Sequence, residues 1–138
     1  MSRPYAGGCA CGAVRYTCEG EPVAMVDCQC RQCQRQTGGG HGSYLTFAGT
    51  PWDVQGTPNT WSVAGDNGTT KNAAFCATCG SPLFITFPDV PGVVAIRAGS
   101  LDEPERYQPQ LVTWTEAAQP WDHVDPAATK FARMPPTA

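Results

Sequence analysis

Seven of the eight cysteines fall into three tight groups, Cys9-x-Cys11, Cys28-x-Cys30-x-x-Cys33 and Cys76-x-x-Cys79, while Cys18 stands alone. Zinc binds several thiolates at about 2.3 Å in a tetrahedron, and two cysteines one or two residues apart in a tight turn can both reach so small a volume. Gly80 directly follows Cys79, where a turn that aims its amides at sulfur calls for a positive φ. A ligand count then separates two kinds of site. Cys9, Cys11, Cys76 and Cys79 supply four thiolates, enough for a closed structural zinc that ties the N-terminal region to a distant turn. Cys28, Cys30 and Cys33 supply three, which leaves one position for a water, a substrate or a further protein ligand, as metal-assisted chemistry requires.

Other readings of the thiols have to be weighed. Eight cysteines in 138 residues lie below the roughly 8–10% of a disulfide scaffold, and a reducing compartment would keep them free. Cys18 reads as a small buried hydrophobe on a strand; the alternative is a fourth ligand that closes the second site and removes catalysis. His41 follows three glycines and is either an exposed loop residue or a base or fourth ligand for the triad. His123 is remote in sequence from every cysteine group. Arg31 and Arg35 flank the third thiol of the triad; they form a solvated surface pair or a guanidinium site for a substrate carboxylate.

Composition bounds the scaffold. A chain of 138 residues matches one domain at roughly 100–200 residues each. Hydrophobic residues make up 41%; counting glycine and leaving out tyrosine brings the apolar share to the roughly 45–50% of a globular chain. Intrinsic disorder is excluded. Charged residues reach only 15%, while Gly and Pro number 15 and 13, so turns are frequent and long exposed helices few. The net charge of −3 lacks the basic footprint of phosphate neutralisation, so no nucleic-acid partner is expected. No apolar run approaches the roughly 20 residues of a membrane span. The first residues lack the regions of a secretory signal, and a cytoplasmic protein is expected.

The elements that must position the thiols are short. Residues 1–12 read as a leading loop, followed by β-type runs at 13–18, 23–27, 43–47, 60–63, 71–75, 83–87, 93–98 and 111–115, the pattern of an all-β sheet structure. Asn67-Gly68 predicts a type I′ hairpin turn. Residues 30–37 predict the one clear helix, stopped by Gly38 and starting within the triad. Its free amides and positive dipole would then face nearby thiolates. Ser100 to Glu103 has the form of a capping box, weakened by Pro104. The tryptophans at 52, 61, 114 and 121 and the phenylalanines at 75, 84 and 87 read as core or zinc-shielding aromatics. A domain over 1–125 and an irregular tail over 126–138 complete the expected organisation.

Four segments in order, GGCACGAVRY (7–16), DCQCRQCQRQTGG (27–39), FCATCGSPLF (75–84) and AGSLDEP (98–104), resemble the glutathione-dependent formaldehyde-activating enzyme family, which includes the centromere protein V group. The resemblance implies a mainly β, β-tent zinc-binding fold of short antiparallel strands with one or two helical turns. It implies two zinc ions per chain, a structural one on Cys9, Cys11, Cys76 and Cys79 and a catalytic one on Cys28, Cys30 and Cys33, with a position for a small thiol such as glutathione. Carbon–sulfur lyase activity on a formaldehyde-like electrophile follows, with Arg31, Arg35, His41 or the loop amides around Gly39 orienting substrate carboxylates. A non-catalytic zinc module for structure or protein interaction is the alternative. Cys18 is not among the family's seven cysteines. Gln29 and Gln34 depart from the His and the Arg or Lys common in relatives, beside the proposed catalytic metal.

Overall fold

The computed structural model describes residues 3–135. Short runs rich in β-branched and aromatic residues, punctuated by Gly and Pro, form eleven strands. In chain order these are β1 (Tyr5–Gly8), β2 (Arg15–Cys18), β3 (Ala24–Cys28), β4 (Gly42–Ala48), β5 (Trp52–Gln55) and β6 (Asn59–Ala64), then β7 (Thr70–Phe75), β8 (Pro82–Thr86), β9 (Val93–Arg97), β10 (Leu111–Thr113) and β11 (Thr129–Lys130). A single α-helix among the described residues, α1 (Arg31–Thr37), follows β3, and 3₁₀ turns occupy Ala98–Ser100, Pro104–Arg106 and Thr115–Ala117. The mainly β class expected from the sequence is found.

The strands build two sheets. One has three strands in the order β1-β2-β5; the other has eight in the order β11-β10-β3-β4-β9-β8-β7-β6. Pairing is antiparallel except at β10, which runs parallel to both β3 and β11. The main core lies between the sheets: Tyr5, Val14, Tyr16 and Cys18 of the N-terminal region meet Leu45, Phe47, Leu83, Val94 and Ile96. Edge-on aromatic pairs fix the contact, Tyr5 with Phe47 at 5.4 Å and Trp52 with Phe84 at 5.3 Å. Each fully buried large side chain contributes roughly 1.5–3 kcal/mol. The opposite face of the larger sheet carries a second cluster of Tyr44, Ala73, Ile85 and Ala95, joined by Cys33 of α1. Both faces of β8 and β9 are covered, which is why these strands lack a clean polar alternation.

Several local expectations are corrected. β1 replaces the expected loop; its Gly7 gives no propensity signal, yet a Cβ there would strike the Ser100 carbonyl and the Tyr16 hydroxyl, so the strand depends on that glycine. β5 was also missed. The β6–β7 hairpin exists, but its turn is not type I′: Gly68 has φ 80° and Asn67 has no positive φ. Gly68 N–H instead bonds Gly65 O at 2.9 Å, so one glycine supplies all the left-handed geometry. The capping box is not made, because Ser100 Oγ donates to Arg97 O at 2.7 Å and the Pro104–Arg106 turn has no side-chain cap. Trp61 and Trp121 are 49% and 61% exposed, so neither is core. The expected irregular tail contributes β11, where Phe131 N–H bonds Val112 O at 2.8 Å; residues 136–138 of that tail lie outside the described residues.

Candidate metal centres

The first centre joins the two sheets. Cys9 and Cys11 follow β1, and Cys76 and Cys79 occupy the turn between β7 and β8. The four sulfurs all lie within 4.8 Å of one another, with Cys9–Cys11 and Cys11–Cys76 both at 3.7 Å. A zinc tetrahedron with bonds of about 2.3 Å has edges of about 3.8 Å, so the donor set fits that ion. Each knuckle aims amides at sulfur: Val14 N–H at Cys9 Sγ, 3.3 Å, and Thr78 N–H at Cys76 Sγ, 3.4 Å. Gly80, at φ 78°, closes the second knuckle by donating its N–H to Cys76 O at 2.8 Å. Hydrogen bonds from Ser81 bring the Cys79 thiol down to about 5, which favours the thiolate that a metal needs.

The second centre lies on the other face of the larger sheet. Cys28 ends β3, Cys30 is the N-cap of α1 and Cys33 sits in its first turn. Their sulfurs also lie within 4.8 Å of one another. Cys30, expected as the first helical residue, has extended φ and ψ of −65° and 154°; its sulfur accepts the Cys33 N–H at 3.3 Å. Hydrogen bonds from Cys28 and Cys33 hold the Cys30 thiol far below the usual range, while contacts with Cys28 and Cys30 push Cys33 up. Gly38, at φ 77°, ends the helix as expected by donating its N–H to Gln34 O.

Two buried glutamines hold the Cys28–Cys30 turn. Gln29 donates its side-chain amide to Asp122 Oδ2 at 3.0 Å, and Gln34 donates to Gln29 O at 2.8 Å and Ala117 O at 2.9 Å. Behind Cys33, Tyr44 Oη lies 3.2 Å from its sulfur, and burial pushes the Tyr44 phenol up. Arg97 Nη1 donates to that phenol oxygen at 2.9 Å.

The triad opens into a groove of about 1190 Å³ that also receives Arg31, Lys71, Phe87, Trp114, Arg133 and Met134. Trp114 is a non-glycine residue at φ 59°, a conformation costing about 1–2 kcal/mol. The tail braces it, with the Arg133 guanidinium 5.5 Å from its ring centroid and Trp114 N–H donating to Arg133 O at 3.3 Å.

The residues singled out in the sequence divide accordingly. Arg31 lines the groove and donates to Gln34 Oε1. Arg35 is exposed on α1 and Gly39 is exposed beyond its end, and neither lines the groove. His41 is neither an exposed loop residue nor a neighbour of the triad. It lines a separate cavity of about 540 Å³, with Nδ1 2.8 Å from Asp122 Oδ1 and Nε2 3.7 Å from Asp27 Oδ1. His123 is exposed. Cys18 is fully buried in the core between the sheets, where burial pushes its thiol up to about 12, and its sulfur is not among those gathered at either centre. Tyr44, Arg97, Asp122 and Lys71 were missed; an arginine inside the apolar run 93–98 was the signal available for Arg97.

The sequence matches the model of the family described as glutathione-dependent formaldehyde-activating enzyme over residues 4–117. A crystal structure of a Rhodobacter sphaeroides protein shares the fold, with a TM-score of 0.52 and 19% identity, covering 91% of this chain and 98% of that one. Among curated proteins, none matches at a significant level. With two cysteine clusters able to hold metal ions and a family match across most of its length, this chain belongs to the glutathione-dependent formaldehyde-activating enzyme family.

Proposed function

We propose that this protein is a zinc-dependent carbon–sulfur lyase, adding a small thiol such as glutathione reversibly to formaldehyde or a similar small electrophile. The ligand count carries this reading: three sulfurs converge at the second centre without a fourth cysteine, histidine or carboxylate, among the described residues, and they open into a groove. The family match supports the thiol and the aldehyde as its substrates. A reducing, cytoplasmic setting suits eight free thiols, and no described helix is long and apolar enough to cross a membrane.

When bound there, zinc supplies a Lewis acid that keeps a sulfur ligand in its thiolate form at neutral pH. Cys28, Cys30 and Cys33 would hold the ion, and Gln29 and Gln34 fix the turn that presents two of them. Arg31 and Lys71 line the same groove and place positive charge where a peptide-like thiol carries carboxylates. Ile85, Phe87 and Trp114 give it apolar walls. In the forward direction the substrate sulfur's electron pair forms the bond to the carbonyl carbon. The carbonyl π pair moves to oxygen, which takes up the proton that the thiol released on becoming a thiolate, to give the S-hydroxymethyl adduct. The lyase direction reverses each movement.

Proton-exchange NMR on glutathione, formaldehyde and their adduct tests the proposal. Interconversion is expected to accelerate with the protein and to return to the spontaneous rate with Cys30→Ser. Exchange at the spontaneous rate with the metal-loaded native protein, across several small thiols, rejects it.

A further inference from the structure

Arg97 is only 6% exposed, yet no carboxylate pairs with it among the described residues. Its Nε has no hydrogen-bond partner among the described residues. The guanidinium contacts Tyr44 Oη at 2.9 Å and Gln36 Oε1 at 2.6 Å, and it lies 5.1 Å from the Tyr44 ring centroid. A buried cation held by neutral groups alone is costly and calls for a compensating negative charge nearby. The triad supplies one, since three thiolates around a divalent ion leave a net charge of −1. Tyr44 connects the two, with its oxygen 3.2 Å from Cys33 Sγ.

The direction of this chain is fixed by proton inventory. Tyr44 Oη already accepts from Arg97, so its one hydrogen is free to point at sulfur. Cys33 has no proton to give once it holds a metal. We infer that Tyr44 and Arg97 are positioning residues for the triad: Tyr44 donates a hydrogen bond to the Cys33 thiolate, and Arg97 polarises that donor while serving as counter-charge to the loaded site. This rests on the reading of Cys28, Cys30 and Cys33 as metal ligands. It is a division of labour between the two centres, because the four-cysteine centre has, among the described residues, no arginine–tyrosine pair behind its sulfurs and relies on backbone amides and the Ser81 hydroxyl instead.

The test uses the full-length protein with zinc or cobalt at both centres. Zinc affinities come from competition with a chromophoric chelator, and the near-ultraviolet thiolate-to-cobalt charge-transfer bands report on the sulfurs. Tyr44→Phe keeps the ring and removes the hydroxyl. It is expected to weaken the triad by about 10–100-fold, the usual effect of losing a partner of a metal ligand, and to move the triad's band to longer wavelength, since an unbonded thiolate donates more readily. The four-cysteine centre is expected to stay unchanged in both readouts. Arg97→Met is expected to follow Tyr44→Phe, and Arg97→Lys, which keeps the charge, to recover most of the affinity.

Tyr44→Phe with native triad affinity and an unshifted band overturns the inference, as does an equal weakening of both centres, which would mark a general packing defect. Should Arg97→Met fail to fold, Tyr44→Phe decides alone. A native protein that binds metal only at the four-cysteine centre removes the metal reading of the triad and this inference with it. Metal at both centres with unresponsive variants removes the inference only.

Discussion

Cys11 and Cys76 stand 65 positions apart in the chain, and their sulfurs lie 3.7 Å apart in the fold. The contact fastens the segment after β1 to the β7–β8 turn and thereby one sheet to the other. Zinc binding to such sites is worth on the order of 10 kcal/mol, comparable with the whole stability of a domain, roughly 5–15 kcal/mol. Cys76→Ser is expected to lose one zinc per chain and most of its cooperative unfolding transition, as read by metal analysis and thermal melts followed by circular dichroism.

The triad should behave differently. Cys30 is only half-buried at the start of a short helix, so Cys30→Ser is expected to keep a cooperative unfolding transition and to lose only the stability that the bound ion adds by linkage. Activity is expected to fall to the spontaneous rate, because the several kcal/mol that a catalytic metal supplies are lost with the ion. Parallel melts and single-turnover rates would show the separation; equal losses in both would place the triad in the structural class.

Cys18 offers the converse case. It is fully buried and packed between the sheets, and Cys18→Ala is expected to cost about 1 kcal/mol of stability from the lost sulfur. Metal content should remain at two ions per chain, by mass spectrometry under native conditions.

Asp122 gives the fold a dependence on acid. Burial opposes its ionisation, but hydrogen bonds from Gln29 and His41 outweigh this and hold its carboxyl below the usual range. A lowered folded value means that ionised Asp122 stabilises the fold above the unfolded value of about 3.9, and that this contribution disappears as pH falls through the folded value. Asp122→Asn is expected to cost about 1 kcal/mol at pH 7 and nothing once the native carboxyl is protonated. Paired melts of the two proteins from neutral to strongly acidic pH should therefore converge at the acid end.

The tail completes the groove. Arg133 Nε donates to Glu116 Oε1 at 2.7 Å, and Arg133, Met134 and Pro135 line the cavity that holds the triad. Truncation after residue 125 is expected to raise KM for the thiol about tenfold with kcat within a factor of about three, the signature of lost uniform binding. Steady-state kinetics with unchanged metal content would establish it.

What the sequence determined by itself was local. Thiols one or two residues apart must meet around one ion, so the two donor sets were legible from spacing and count. Gly38 ended α1 where it had to, and the apolar runs became strands within a residue or two. The same local rules misread Asn67-Gly68, because one left-handed glycine satisfied the turn, and they missed β1, because glycine carries no propensity signal for a strand fixed by its neighbours.

Only the tertiary structure decided what surrounds the metal ligands. Tyr44 and Arg97 meet because β4 and β9 pair in the register that sets them opposite each other. His41 turns its ring to Asp122, and the tail became part of the groove because β10 runs parallel between β3 and β11. Those placements depend on which strand faces which, and burial across two sheets sets that pairing; no short stretch of sequence encodes it.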